Sequence, residues 1–539
     1  MSGLVSILNR PGRAPIVAAI ALAATTLGGA QQKPAPGTRP PFALEEATIA
    51  QIHAALRAGH LTCRDLVERY LERIARYDKT GPAINAVVVT NPEALRQADE
   101  MDRVSKQALA TRPLFCVPMI VKDNFETMGL QSAAGSLSLE GFVSERDAFQ
   151  VRRVKEAGAI VLAKSNMAEF AFSPYETVGS ILPGYTRNPY ALDRVTAGSS
   201  GGTAAAVASN FGAAGLGSDT GNSIRGPSSH QALAGIRSTM GLTSRTGIVP
   251  LNLLADIAGP MTRTLADAVT ILQVIAGTDP DDPITVADSD LARQFAPGGR
   301  PAAIPDYSQS LRKDGLQGKR IGILRQAYER DTTDPEMVKT FMTAVADMAR
   351  AGAIIVDHVR VELDQVRREQ GAGVCGGFKY DINRWLAGHG DRVPVKSLAE
   401  IIRSRRFHPS VQRRLEQSQD ASENGPSTAA CKAEAEYRAA VRSAVLTAME
   451  AERLDAFVYP TWSNPPRLIG DLNTPHGDNS QFFSPTTGFP SINVPMGYTR
   501  HDTLPAGVTF FGRAWDEPTL IAAASAYEQA TRHRRRPSW

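Results

Sequence analysis

The chain has 539 residues, of which 42% are hydrophobic and 21% are charged, and both fractions are ordinary for a globular protein. This length allows either several domains or one large α/β domain. The net charge of +4, from 59 basic and 55 acidic side chains, is too small to indicate a protein that binds nucleic acid. The short basic run at 532–536 predicts a solvated tail.

The N-terminus has the pattern of a secretory signal peptide. Two arginines precede a mostly apolar run at 14–27, and three small residues follow the run and predict a cleavage site. The run is too short to span a membrane, and no cysteine follows it for lipid attachment. We therefore expect residues 1–30 to be a signal peptide and 31–43 to be a Pro-rich linker. The mature protein is then secreted or periplasmic, without stable membrane insertion.

Helical and strand patterns follow the linker. Apolar residues recur at helical spacing from 44 to 77, with an interruption at 59–62, which predicts two helices. An amphipathic helix entered at a threonine cap is predicted within 261–275, and a strand is predicted at 319–324.

The four cysteines do not form a recognisable metal site. They show no C-x-x-C pair and no histidine at ligand spacing, so we expect no bound metal. An oxidising compartment would allow disulfides, but the sequence does not identify partners, and buried free thiols are the expectation. The cysteines are Cys63, Cys116, Cys375 and Cys431.

Lys122 ends an apolar run that includes Met119, Ile120 and Val121. A lysine at the end of an apolar strand is ordinarily solvated, because its long stem lets the ammonium reach water. If Lys122 were buried, desolvation would lower its pKa, as a general-base lysine requires.

Two serines at 195–250 are candidates for a nucleophile. Ser199 lies in a Gly-Ser-Ser-Gly-Gly turn, and Ser223 lies in a second turn that contains glycine. Between them, the small residues at 203–208 predict a helix that packs closely against a neighbour. Glycine-rich turns expose backbone N–H groups, so both turns could stabilise a developing negative charge.

These segments resemble the amidase signature family of serine hydrolases, whose pattern runs G-G-S-S-G-G, a small-residue helix and D-T-G-G-S-I-R. The segments at 113–125, 158–169 and 487–497 resemble further motifs of that family, and the resemblance covers most of 44–537. Ala197 replaces the usual first glycine, and Asn222 replaces the usual glycine before the nucleophile. Asparagine tolerates a left-handed backbone, but we expect its side chain to reshape the pocket.

The resemblance implies a single α/β amidase-signature domain at 44–537, with a twisted mixed β-sheet core covered by helices on both faces. It implies hydrolysis of a carboxylic amide through a serine acyl-enzyme, without a cofactor. Anilides, esters and carbamates are further expected substrates, since the same acyl chemistry serves them. The segment at 356–450 carries no family motif and is expected to form the wall of the substrate cleft.

Carried over residue by residue, the family's motif makes Ser223 the nucleophile, Ser199 the proton relay and Lys122 the base. In the family, the peptide bond before the relay serine is cis. The resemblance also implies roles in substrate binding and in supporting the nucleophile turn. The implied substrate-binding residues are Thr220, Gly221, Asn222 and Ala171, and the implied supporting residues are Asp219 and Arg225.

Three other residues offer rival chemistry. Ser200 completes a G-x-S-x-G pattern, which an α/β-hydrolase esterase would use as its nucleophile, but that turn needs a strand immediately before it. Lys164 is a rival base, although an ion pair with Glu169 explains it. His230 could pair with the nucleophile, but we expect it to cap a helix.

Two further classes of protein remain as alternatives. One is a non-hydrolytic protein similar to the transamidation subunit of a tRNA-dependent amidotransferase, and the predicted signal peptide argues against it. The other is a binding protein without catalysis, and the presence of all three catalytic positions argues against that. The expected partner is a small-molecule amide, with no nucleic acid, and a homodimer is also considered.

Overall fold

One mixed β-sheet of eleven strands lies at the centre of the described structure. The computed structural model describes residues 42–539, except 105, 296–299, 302, 365, 367–374, 376 and 422–424. Residues 1–41, which carry the predicted signal peptide and most of the predicted linker, lie outside the described residues. The residues from Phe42 onward form one compact unit.

The strands include both parallel and antiparallel neighbours. Their order across the sheet is β1-β3-β2-β4-β6-β5-β10-β11-β9-β7-β8. The strands are β1 (Val87–Thr90), β2 (Pro118–Lys122), β3 (Ile160–Ser165), β4 (Ala214–Asp219), β5 (Ala234–Arg237), β6 (Ile257–Thr262), β7 (Arg320–Ile323), β8 (Ile354–Val356), β9 (Ala456–Pro460), β10 (Ser491–Thr499) and β11 (Leu504–Phe511).

The α-helices pack around this sheet. The helices in the described part of the chain are α1 (Ile49–Arg57), α2 (Cys63–Tyr77), α3 (Ala94–Asp102), α4 (Lys106–Thr111), α5 (Phe149–Glu156), α6 (Gly201–Ala208), α7 (Arg225–His230), α8 (Leu265–Ile275), α9 (Asp290–Phe295), α10 (Pro335–Arg350), α11 (Gly377–His389), α12 (Leu398–Ser404), α13 (Gln412–Gln419), α14 (Ala429–Ala451), α15 (Phe483–Thr487) and α16 (Glu517–Thr531). This α/β arrangement confirms the predicted fold class.

Three neighbouring strands place the chemical residues together. Strand β2 pairs in parallel with β3 on one side and with β4 on the other. The carboxyl ends of parallel strands meet at one edge of a sheet, so Lys122, Ser165 and Asp219 share that edge. Helix α6 packs against β2 and β4, and all of its residues are buried. The prediction of a closely packed small-residue helix is therefore confirmed.

Other predicted elements also occur. Helices α1 and α2 are the two expected at 44–77, and β7 lies within the strand expected at 319–324. Helix α8 begins after the cap residue Thr264, whose hydroxyl oxygen accepts a hydrogen bond from the Asp267 N–H at 3.2 Å. Local patterning therefore located these elements correctly.

The expectation of buried free thiols is wrong. Cys63 is bonded to Cys116, and Cys375 is bonded to Cys431. The partners are 53 and 56 positions apart, and no local pattern of the sequence relates them. Because Cys375 precedes α11 and Cys431 lies in the first turn of α14, the second bond joins two parts of the segment at 356–450.

The expectation of a solvated C-terminal tail holds only in part, because Arg532, Arg535 and Arg536 are exposed but Arg534 is largely buried. The Arg534 guanidinium donates to the Glu46 carboxylate at 2.7 and 2.9 Å and to the carbonyl oxygen of Ala232 at 2.7 Å. Arg535 pairs with Asp502 at 2.7 Å, and Arg536 pairs with Glu45. The basic run therefore binds acidic groups of the same chain.

No helix in the described part of the chain is long and apolar enough to cross a membrane.

Candidate active site

Lys122 is fully buried at the carboxyl end of β2, and its side chain does not reach solvent. Its Nζ lies 2.7 Å from Ser199 Oγ, 2.9 Å from Ser218 Oγ and 3.2 Å from the Ser218 carbonyl oxygen. Burial lowers the pKa of Lys122 to about 7, although the nearby carboxylates of Asp219 and Asp256 act in the opposite direction. A substantial fraction of Lys122 is therefore a neutral amine at neutral pH, which can accept a proton.

Ser199 lies in the loop that leads into α6. The Gly198–Ser199 peptide bond is cis, as the resemblance implied, and Ala197 before it has a φ of 58°. This left-handed conformation accounts for the glycine that the family usually has at the position of Ala197. A Cβ at Gly198 would lie 2.5 Å from the carbonyl oxygens of Ser173 and Glu176, so only glycine fits there.

Ser223 lies in the turn between β4 and α7 and is 4% exposed. The N–H of Ser200 donates to the Ser223 carbonyl oxygen at 3.3 Å, which joins the two serine-bearing loops. The side-chain hydrogen bonds of the described residues do not include one between the Ser199 and Ser223 hydroxyls. The hydrogen-bonded chain that starts at Lys122 thus extends to Ser199.

The turn at 220–223 presents free backbone donors. The N–H groups of Gly221, Asn222 and Ser223 donate to no protein acceptor among the described residues. Consecutive free N–H groups beside a serine hydroxyl are the donors that an oxyanion hole needs. The side chain of Thr220, at the start of this turn, donates to Asp256 at 2.5 Å.

Asp219 and Arg225 hold this turn from inside the protein. The fully buried Asp219 carboxylate accepts from the Ile224 N–H at 3.1 Å and from Arg225 Nε at 3.1 Å. Arg237, which sequence reasoning missed, donates to the same carboxylate at 2.9 Å. Burial alone would raise the pKa of Asp219, but the two guanidinium groups hold it at about 2. The carboxylate is therefore ionised and tied to both ends of the turn.

The backbone and the side-chain partner of Asn222 both bear on the nucleophile turn. Neither Gly221 nor Asn222 lies in the left-handed region, so the turn does not require that conformation at either position. The Asn222 side chain is fully buried and donates to Asp478 Oδ2 at 2.7 Å. The side chain is therefore held by a protein partner, and its expected effect on the pocket stays a prediction.

Ala171 immediately precedes a wall residue of a cavity next to the turn, but it does not itself line that cavity. It and Phe170 have φ values of 60° and 49°, and the following residue, Phe172, lines the cavity. The cavity has a volume of about 320 Å³ and reaches Thr220. The Phe172 ring contacts the Phe378 ring at a centroid distance of 4.7 Å. Sequence reasoning named Ala171 but missed these two rings, since Phe378 lies in the segment without a family motif.

Two of the rival residues, Ser200 and Lys164, make hydrogen bonds to backbone carbonyl groups. Ser200 is fully buried, its Oγ donates to the Ser218 carbonyl oxygen at 3.1 Å, and no strand immediately precedes it. Lys164 Nζ donates to the Phe125 carbonyl oxygen at 2.6 Å and lies 4.0 Å from Asp123. The expected ion pair of Lys164 with Glu169 is therefore wrong.

His230 is the last residue of α7 and is buried. Both of its ring nitrogens lack a hydrogen-bond partner among the described residues, so the expected capping role is wrong. Burial lowers the pKa of His230 to about 3, which keeps the ring neutral. The described residues also contain no group of three or more His, Cys, Asp or Glu side chains that could hold a metal ion.

Comparison with known proteins identifies relatives of this chain. The family model described as Amidase matches residues 65–521. A probable amidase of Arabidopsis thaliana is 33% identical over 518 residues, covering 92% of each chain. One subunit of the glutamyl-tRNA(Gln) amidotransferase of Acinetobacter baumannii is 32% identical over 501 residues, covering 90% of this chain and 96% of that protein.

Among solved structures, the native peptide amidase of Stenotrophomonas maltophilia has a TM-score of 0.79 and 34% identity to this chain. The match covers 92% of this chain and 99% of that one. The chain therefore belongs to the amidase family. Its activity is the hydrolysis of the C–N bond of carboxylic amides.

Proposed function

We propose that this amidase works through a serine acyl-enzyme, with Ser223 as nucleophile, Ser199 as relay and Lys122 as base. The observation that carries the proposal is the 2.7 Å contact between Lys122 Nζ and Ser199 Oγ in a fully buried site. Neutral Lys122 takes the Ser199 proton while Ser199 takes the Ser223 proton. In this relay, the two hydroxyls approach each other when substrate is bound.

The Ser223 oxygen then forms a bond to the carbonyl carbon of the amide. The negative charge that develops on the carbonyl oxygen is stabilised by the free N–H groups at 221–223. Lys122 returns its proton through Ser199 to the leaving nitrogen as the C–N bond breaks. Water attacks the resulting ester in the same way, which releases the acid and regenerates Ser223.

The proposed substrate is a small neutral amide with an apolar or aromatic acyl group. The cavity beside Thr220 has Phe172, Leu251 and Phe378 in its wall, which suits an apolar acyl group, and Arg414, Gln417 and Ser418 in the same wall offer polar groups to the amide. Anilides, esters and carbamates of similar shape are proposed as further substrates, because the same nucleophile and donors serve their carbonyl groups.

We also propose that the protein is secreted or periplasmic. The basic, apolar and small-residue pattern at the N-terminus and the two cysteine pairs support this proposal, since disulfides persist in oxidising compartments. N-terminal sequencing of protein purified from the producing cell would test it, with Gln31 the expected first residue.

A homodimer stays a prediction, and light scattering of the purified protein would test it.

The proposed chemistry is tested by the release of amine from a panel of amides, anilides, esters and carbamates. Wild-type turnover should fall by about 10²-fold or more in Ser223→Ala, Ser199→Ala and Lys122→Ala. Ser200→Ala is the matched control and should keep kcat within a few-fold of wild type. Full activity of Ser223→Ala would reject the nucleophile assignment.

A further inference from the structure

Asn222 precedes the proposed nucleophile, and its amide joins the turn to a distant segment. Its Nδ2 donates to Asp478 Oδ2 at 2.7 Å, and the two residues are 256 positions apart in sequence. The surrounding space is shaped for this side chain. A Cβ at Gly226 would lie 2.7 Å from Asn222 Nδ2 and 3.0 Å from the Trp462 indole nitrogen. Asn222 is therefore closely packed beside α7 and Trp462, and the bond from its Nδ2 to Asp478 is the one hydrogen bond of its side chain among the described residues.

Asp478 has the acceptor capacity that this site needs. Its Oδ2 accepts from both Asn222 Nδ2 and Gln481 Nε2, the latter at 2.8 Å. Its Oδ1 accepts from the Ser480 N–H at 2.9 Å. A carboxylate accepts several hydrogen bonds without offering a donor, so one side chain can fix the turn and its own loop together. The residue is 9% exposed, which shields these bonds from water.

The segment at 478–481 contacts the turn at two further points. Arg225 donates to the Ser480 carbonyl oxygen at 3.1 Å and to the Gly221 carbonyl oxygen at 2.5 Å. The Gln481 side chain covers Gly221, where an added Cβ would lie 3.1 Å from Gln481 Oε1. Asp219 holds the inner side of the turn, and the segment at 478–481 holds its outer side.

We propose that Asn222 and Asp478 are positioning residues that fix the direction of the oxyanion donors at 221–223. The inference rests on the proposed function, since it assumes that these N–H groups stabilise the oxyanion formed by attack of Ser223. Such donors are effective only when their direction is set before the reaction, and a small misplacement costs a large factor in rate. The family usually has a glycine at this position, which has no side chain to hold the turn. In this chain, the hydrogen bond from Asn222 to Asp478 supplies the constraint.

The proposal predicts that restoring the family's usual residue impairs this enzyme. Asn222→Gly and Asn222→Ala should each lower kcat by about tenfold or more, with KM within about threefold of wild type. Asp478→Ala should have the same effect. Because both residues act through one bond, Asn222→Ala/Asp478→Ala should be no slower than the slower single variant.

Inhibition by a trifluoromethyl ketone with the acyl group of the best substrate separates positioning from a general structural effect. The ketone forms an oxyanion on Ser223, so its Ki should rise by the same factor as kcat/KM falls. Asn91→Ala is the matched control, because Asn91 is a buried asparagine whose side chain donates to the carbonyl oxygen of Val161 on β3 at 2.7 Å, rather than to the turn or the segment at 478–481. It should leave both kcat and Ki within about twofold of wild type.

An exchanged pair, in which the amide and the carboxylate swap positions, controls for variants that fail to fold. Asn222→Asp places two carboxylates together and should be the slowest single variant, whereas Asn222→Asp/Asp478→Asn restores one donor and one acceptor. The double variant should recover at least tenfold in kcat over Asn222→Asp. If wild type hydrolyses amides through Ser223 but Asn222→Gly keeps its kcat and Ki, the positioning role is rejected and the proposed function stands. If wild type hydrolyses none, the proposed function itself fails.

Discussion

Lys122 Nζ and Ser199 Oγ lie 2.7 Å apart, although 77 positions separate them in sequence and both side chains are fully buried. The end of β2 supplies the amine, and the loop before α6 supplies the hydroxyl. Because no water reaches this contact, the lysine loses its solvation and its pKa falls to about 7. The fold therefore favours the neutral form of an ordinarily charged side chain, as the proposed base requires.

The first prediction concerns the pH dependence of the reaction. Lys122 must be neutral to act as a base, so kcat/KM should rise with pH around an apparent pKa near 7. Below that pH, it should fall about tenfold per pH unit. The measurement is kcat/KM from pH 5.5 to 9 with an amide that does not titrate in this range. Lys122→Arg is the control and should be inactive throughout, while a flat wild-type profile would contradict the assignment.

The second prediction is that Lys122→Met raises stability while it removes activity. The pKa of Lys122 is about 7 in the folded protein and 10.5 ordinarily, so the unfolded chain binds more protons between these values. Wild-type stability should therefore rise with pH across that window. The difference in free energy of unfolding between Lys122→Met and wild type should be largest below pH 7 and should shrink toward pH 10.

Urea unfolding of wild type and Lys122→Met at pH 6 and pH 9.5 measures this difference. Lys122→Gln is a second variant that keeps a polar group near Ser218. A Lys122→Met protein that is less stable than wild type at both pH values would show that the hydrogen bonds of Lys122 outweigh the cost of its burial.

The third prediction concerns Asp219. Its carboxylate neutralises the buried guanidinium groups of Arg225 and Arg237, so Asp219→Ala should lower the free energy of unfolding by about 3–5 kcal/mol. The pKa of Asp219 is about 2, below the usual 3.8, so its contribution is present above pH 3.8 and disappears as the pH falls through 2.

Urea unfolding at pH 7 measures the Asp219→Ala effect, and Asp193→Ala is the control. Asp193 is exposed, and its Oδ1 lies 3.9 Å from Arg194 Nε. Removal of this carboxylate should therefore change the free energy of unfolding by less than about 0.5 kcal/mol. An Asp219→Ala protein as stable as the control would show that the two arginines do not depend on this carboxylate.

The fourth prediction concerns the cysteine pairs. Cys63→Ala/Cys116→Ala should lower the free energy of unfolding by about 2–5 kcal/mol, because the bond constrains a long loop of the unfolded chain. Unfolding curves of the oxidised wild type and the double variant measure this change. Alkylation of the unfolded, unreduced wild type should label no thiol, and labelled Cys63 or Cys116 would contradict the pairing.

Much of the fold could be predicted from local sequence, whereas the roles of the candidate site residues were predicted from the resemblance to the amidase signature family. The apolar run before Lys122 formed the expected strand end, and the small residues at 203–208 formed the expected helix. Reactive groups that lie in short glycine-rich turns can be recognised in the sequence, because the backbone there tolerates few residue types. The steric limit at Gly198 is one such constraint.

The remainder depended on partners far away in sequence. Nothing near Asn222 indicates Asp478, and nothing near Arg534 indicates Glu46, which lies 488 positions away. The sequence therefore assigned the whole basic run to solvent and offered no partner for the Asn222 side chain. Phe378 was missed for the same reason, because its contact with Phe172 forms only in the folded chain. Patterns of residues predict local structure, whereas pairing of buried polar groups requires the three-dimensional fold.

The most direct test of the proposed mechanism is the site of covalent labelling by a fluorophosphonate that reacts with serine nucleophiles. Trypsin releases residues 195–225 as one peptide that carries Ser199, Ser200 and Ser223, so fragmentation of this peptide in a mass spectrometer identifies the labelled residue. The mechanism predicts one label, on Ser223, and no labelling of this peptide in Ser223→Ala. A label on Ser199 or Ser200, or undiminished labelling of the peptide in Ser223→Ala, would contradict it.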